Sequence, residues 1–146
     1  MPYRTVIGVH LVLVEEGRVL LGLRRSAAYA DKTWHTPAGH LEQGESVAAG
    51  AAREAGEELG IVIDPRDLEL VHTLHDLDAD DGAGRLQLFF RPARYTGQIT
   101  NAEPDKCHQL RWWPLDALPE PVVGYTVQAL AAIAAGEPLS VRGFSA

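Results

Sequence analysis

The chain holds a single cysteine, Cys107, among 146 residues. One thiol excludes an intramolecular disulfide and a cysteine-based zinc site. It suits a reducing compartment, so a cytoplasmic location is expected. Alone, Cys107 reads as a small packing residue and not as a nucleophile. Basic residues are also scarce: 13 Lys+Arg face 20 Asp+Glu, for a formal net charge of −7. Such a chain is poorly equipped to neutralise a nucleic-acid backbone or to sit on an anionic membrane. The expected partner is therefore neither a nucleic-acid polymer nor a membrane, and a small anion can be held only with a cation between. Long hydrophobic runs are missing. The stretch 5–14 is short, contains His10, runs into Glu15 and Glu16, and has no small-residue cleavage site of a signal peptide. The stretch 121–135 is too short to span a bilayer. There is no P-loop, no Gly-x-Ser-x-Gly, no repeat and no internal linker.

What is present is ordinary for a globular protein: 46% apolar and 23% charged residues. The length fits one domain, residues 1–146, able to bury its own core. Val6 to Val14 reads as a buried strand and Val19 to Leu23 as its hairpin partner across Glu15-Glu16-Gly17. Ser46 to Leu59 reads as a helix, with Ser46 as cap and Gly60 as a left-handed stop. Leu68 to Leu77, Arg85 to Tyr95 and His108 to Trp112 read as strands. Residues 78–84 read as a hairpin-type loop, and Val122 to Ala135 as a second helix after Pro121. This order predicts a mixed α/β (α+β) domain, a sheet covered by helices.

The helix from Ser46 carries a conflict. Glu54, Glu57 and Glu58 stand at i, i+3 and i+4, so they share one face and repel by a few tenths of a kcal/mol per pair. They also crowd the C-terminal end, where the helix dipole disfavours anions. Ala48, Ala51, Ala55 and Leu59 form a stripe of mostly small residues that can dock on a sheet, leaving the glutamates at its edge. Gly50 and Gly56 each cost about 1 kcal/mol against alanine. Stability alone does not favour this arrangement. Clustered carboxylate oxygens suit Mg²⁺, with Mn²⁺ as a substitute, and Mg²⁺ is commonly shared between carboxylates and substrate phosphates.

Gly39, Glu45, Arg53, Glu54, Glu57, Glu58, Gly60 and Ile61 stand at the spacing of the Nudix box, and the segment resembles that family's signature. Ala55 is smaller than the usual aliphatic residue, and Ala38 stands where many members have glycine. Val19 to Arg25, Trp34 to Gly39, Glu103 to Lys106 and Leu110 to Pro119 extend the resemblance over most of the chain. It implies the Nudix fold, a mixed β-sheet sandwiched between helices. It also implies hydrolysis of a nucleoside diphosphate linked to another moiety, with Mg²⁺ as cofactor and a nucleotide as small-molecule substrate. A MutT-like nucleoside triphosphatase is the default, and homodimers are common in the family. Carried over by position, Glu54, Glu57 and Glu58 are the metal-binding and catalytic candidates, with the Ala38 carbonyl as a further ligand. Glu54 is also a candidate to hold or deprotonate the attacking water. Arg53 is counted with the catalytic group as the partner of Glu45, and Gly39, Glu45 and Gly60 support the geometry. Arg24 or Arg25, Trp34 and Glu103 are candidate substrate contacts, and strand alternation allows only one of the two arginines to face the cleft.

Other features carry less. Asp76, Asp78, Asp80, Asp81 and Gly82 resemble a calcium loop, but the glycine falls one position late and Gln87 stands where a glutamate belongs. His72 and His75 are three apart on a strand and point to opposite faces. The alternative to an enzyme is a binding module of the same fold that senses a nucleotide without cleaving it. Within the box, five glutamates against one arginine contribute −4 of the −7. The acidity is thus concentrated where a cation and a phosphate would meet.

Overall fold

Val6–Leu11 (β1) is rich in β-branched and apolar residues, and its side chains alternate between two interiors. Val9 and Leu11 enter one, with Ala51, Ala55, Leu59, Leu88 and Phe90. Val12, just beyond the strand, enters the other, with Phe89, Leu74, Ala129 and Leu130. The computed structural model describes residues 1–77 and 83–144. Of the loop expected at 78–84, residues 78–82, with most of the acidic run resembling a calcium loop, lie outside the described residues.

The remaining strands are Val14–Glu15 (β2), Arg18–Arg24 (β3), Trp34–His35 (β4), Ala38–His40 (β5), Leu68–Asp76 (β6), Arg85–Pro92 (β7), Cys107–Pro114 (β8) and Leu139–Arg142 (β9). The helices are Val47–Leu59 (α1) and Gly124–Ala134 (α2), with a 3₁₀ turn at Pro65–Asp67. One sheet runs β5-β1-β7-β6-β9, mixed because β1 and β7, and β6 and β9, pair in parallel. The other runs β2-β3-β4, with β8 also antiparallel to β3. α1 covers one interior and α2 the other, so the expected helix-covered mixed sheet is what the chain forms. No helix among the described residues is long and apolar enough to cross a membrane.

The expected hairpin of Val6–Val14 with Val19–Leu23 is corrected. Val14 and Glu15 pair with β3 at Val19 and Arg18, and the Leu13 carbonyl accepts from Leu20 N–H at 3.0 Å. The chain leaves the first sheet after Leu11, so β1 pairs with β5 and β7 instead. The first helix forms as its sequence indicates. Ser46 Oγ accepts from Ala49 N–H at 3.1 Å, and Gly60 adopts φ 68° while its N–H reaches the Gly56 carbonyl. Ala51, Ala55 and Leu59 are fully buried, and a buried leucine alone contributes roughly 1.5–3 kcal/mol. Gly50 has a packing reason, since a Cβ there would stand 2.7 Å from Leu41 Cδ1. At Gly56 an added Cβ meets only a carbonyl at 3.7 Å, so its propensity cost stands uncompensated.

Candidate active site

α1 and β5 meet at a cleft of about 570 Å³. Glu54, Glu57 and Glu58 line it from the last turns of α1, Ala38 and Gly39 from β5, and Arg24 and Arg25 from the end of β3. Glu103 and Lys106 line it from the segment before β8 and pair with each other at 3.2 Å.

The close approach of α1 to β5 is set by a glycine. A Cβ on Gly39 would lie 2.0 Å from the Glu54 carboxyl carbon. Only the bare Cα lets Glu54 lie there, and Glu54 is 8% exposed. Burial raises its pKa, against the hydrogen bond and charge of Arg53. Glu58 accepts from the Ala38 N–H at 3.0 Å. Its carboxyl is pushed up to about 8, first by burial, then by the charges of Glu54 and Glu103. Buried Glu54 and half-buried Glu58 are thus both carboxyls held above their ordinary range beside one another on α1, the kind of perturbation that clusters at functional sites.

Arg53 organises the rest. Its Nε and Nη2 grip Glu45 at 3.0 and 2.7 Å, and Nη2 also reaches the His40 carbonyl at 3.2 Å. Its Nη1 donates to Glu54 at 2.9 Å and Glu57 at 3.2 Å. The guanidinium holds Glu45 down at about 2, with the Glu42 backbone N–H assisting. A planar fork can make this two-point grip, and a lysine cannot. Glu45 and Gly60 stand outside the cleft lining, Glu45 bracing the loop before α1 and Gly60 ending the helix.

Arg24 and Arg25 both line the cleft, contrary to strict alternation. The β3–β8 ladder slips between Leu23 and Arg24, where His108 is the extra residue. β3 also ends at Arg24, which frees Arg25 from the pleat. Arg25 Nε donates to His108 Nδ1 at 3.1 Å. Arg24 lies over the Tyr29 ring at 5.4 Å, and its Nε is buried without a hydrogen-bond partner. Trp34 is placed elsewhere: it is 7% exposed in the second core cluster, edge-on to Trp113 at 5.1 Å. The sequence reading missed His35, which lines the cleft with Nδ1 buried and unpartnered. Burial, then Arg24 and His10, push it down to about 3, so it is neutral. Its only sequence signal was its place in the lead-in to the box. Cys107 also lines the cleft, as a half-buried thiol whose pKa is raised by burial.

Among the described residues, no three His, Cys, Asp or Glu side chains form a ready-made metal cage. The hydrogen bonds explain this, because Glu54 and Glu57 are turned to Arg53 while Glu58 is turned to Ala38. The donor set itself is all hard carboxylate oxygen, and one guanidinium, that of Arg53, is shared among Glu45, Glu54 and Glu57. That chemistry fits Mg²⁺ or Mn²⁺ and does not favour softer ions.

A sequence model of the NUDIX domain matches residues 2–132. The chain is 32% identical over 136 residues to the NAD-capped RNA hydrolase NudC of Stutzerimonas stutzeri, covering 88% of this chain and 45% of the relative. It is 30% identical over 126 residues to the human 8-oxo-dGDP phosphatase NUDT18, covering 84% of this chain and 36% of the relative. It thus spans less than half the length of either relative. Among solved structures, the MutT NUDIX hydrolase of Burkholderia pseudomallei superposes with a TM-score of 0.79 at 30% identity, covering 88% of this chain and 97% of that one.

Proposed function

The chain belongs to the Nudix hydrolase family, and from that premise we propose that it hydrolyses the pyrophosphate bond of a nucleoside diphosphate linked to another moiety, with Mg²⁺ as cofactor. The observation that carries this reading is the pair of raised carboxyls, buried Glu54 and half-buried Glu58, in a cleft also lined by Arg24 and Arg25. Glu54, Glu57 and Glu58, with the Ala38 carbonyl, would hold the cation. A divalent ion there supplies charge neutralisation for the polyphosphate and eases deprotonation of the attacking water. Bare carboxylates would otherwise repel the substrate. Arg24 and Arg25 bind the phosphate chain, and Glu103 contributes at the rim. Glu54, held against Gly39, receives the proton from the attacking water. Arg53 and Glu45 keep the loop and the helix in register.

The default substrate is a nucleoside triphosphate or related nucleotide, taken as a small molecule by a single domain, residues 1–146, in the cytoplasm. The test is a panel of (deoxy)nucleoside triphosphates, an oxidised purine nucleotide, dinucleotides and capped RNA, with Mg²⁺ and with chelator. We expect metal-dependent release of a nucleoside monophosphate or diphosphate. Tight nucleotide binding without product would favour the sensor reading. No metal-dependent cleavage across the panel refutes the proposal. Glu58→Gln should abolish turnover in a protein that melts no lower than the parent, and normal rates in that variant would remove Glu58 from its role.

A further inference from the structure

His10 is 1% exposed and makes two hydrogen bonds within the core. Its Nε2 stands 2.6 Å from Gln87 Oε1, and its Nδ1 stands 2.8 Å from Thr36 Oγ1. An amide oxygen only accepts, so Nε2 carries the proton. In the neutral ring Nδ1 is then the acceptor, and the Thr36 hydroxyl donates to it. Phe89 stacked at 4.3 Å and Tyr125 edge-on at 5.6 Å fix the ring plane. The β1–β5 register sets His10 opposite Ala38. Thr36 is fully buried two residues before Ala38, and Pro37 between them is tied to β1 by its carbonyl, which accepts from Leu11 N–H at 2.9 Å. The Ala38 N–H in turn donates to Glu58 at 3.0 Å.

We infer that His10 is a positioning residue for the carboxylate cluster: through the Thr36 hydroxyl it fixes the rotation of the Thr36–Pro37–Ala38 segment, and through the Ala38 N–H it aims Glu58. The backbone bond from Leu11 sets the distance of this segment from β1, and the side-chain bond removes its remaining freedom to turn. Gln87 holds His10 in the one tautomer that leaves Nδ1 free to accept. The inference rests on the role proposed for Glu58, but its geometry is measurable without catalysis.

Thr36→Val and Thr36→Ser are compared with the parent by amide hydrogen exchange and by Mn²⁺ titration calorimetry without nucleotide. With valine, Ala38 amide exchange should rise about tenfold, the order expected for one lost hydrogen bond, while the Leu74 amide in β6 keeps its protection. The Mn²⁺ concentration for half-saturation should rise by a similar factor. Serine, which keeps the hydroxyl, should restore both. Thr36→Ala serves as a second hydroxyl deletion if valine does not fold. His10→Asn, whose Oδ1 can take the place of Nδ1, should retain most of the Ala38 protection despite losing Gln87. Parental Ala38 exchange and Mn²⁺ affinity in both hydroxyl deletions, or no rescue by serine, overturns the inference. A parent that cleaves no nucleotide refutes the functional reading instead, and the Ala38 exchange still decides the positioning.

Discussion

Acid should weaken this fold through His10 at pH values where exposed histidines merely titrate. Burial, opposed by the Gln87 bond and aided by His40, pushes His10 from 6.5 down to about 4. Above pH 6.5 the ring is neutral whether the chain is folded or not, so its contribution to stability is fully present. As pH falls below 6.5 the unfolded chain takes up a proton that the folded chain refuses, and stability is lost until pH reaches about 4. At ~1.4 kcal/mol per pKa unit, the whole window is worth roughly 3 kcal/mol, of which about 2 kcal/mol is gone by about pH 5. That is a large part of a typical margin of about 5–15 kcal/mol. Glu58 acts with the opposite sign, since its folded pKa of about 8 lies above the unfolded 4.5 and its contribution is lost as pH rises. The measurement is therefore a difference between two proteins that share Glu58. Urea unfolding of the parent and of His10→Asn is followed by tryptophan fluorescence at about pH 7.5 and about pH 5. Between those conditions the parent should lose about 2 kcal/mol more than the variant. Parallel losses in the two proteins would refute the reasoning.

Gly39→Ala should destabilise by about 1–3 kcal/mol, the range for overpacking, because its Cβ would lie 2.0 Å from the Glu54 carboxyl; a thermal melt with a nucleotide assay should show both stability and rate falling. Leu59→Ala removes a fully buried side chain between α1 and the sheet, and denaturant unfolding should report a loss of about 2–5 kcal/mol. Arg53→Lys keeps the charge but not the fork on Glu45, so the melting temperature and the turnover rate should both drop, and parental values for both would show that the two-point grip is dispensable.

The helix that carries the carboxylates was legible almost to the residue, because Ser46, Gly60 and the alanine stripe are local signals that tertiary packing did not override. Of the box residues the cleft gathers Gly39, Arg53, Glu54, Glu57 and Glu58, with Ala38 just before the box, while Glu45 and Gly60 stand outside its lining. Elsewhere the sequence was silent for identifiable reasons. β1 and β2 read as one strand since nothing in the local residues marks where the chain changes sheets. β9 was missed because four residues, two of them polar, carry too short a pattern, and its parallel partner lies more than sixty residues away. α2 starts later than Pro121 suggests, because Val122 bridges to Trp34 and the Val123 N–H bonds to its carbonyl. Trp34 stood among the candidate substrate contacts, but aromatic type alone does not tell a wall from an interior. His35 was passed over because a lone histidine says nothing until its neighbours are known.

The slip at His108 gives the cleft a property coded by chain length. Two adjacent guanidiniums line one cavity at the point where β3 ends and β8 holds one residue more than β3. Removing that residue would restore the phase of the ladder and take away the imidazole to which Arg25 donates, without changing either arginine. The setting of the guanidiniums thus depends on the length of a strand that itself lines the cleft with Cys107 and Leu110. An engineer reshaping this cleft has the length of β8 to vary as well as the identity of the arginines.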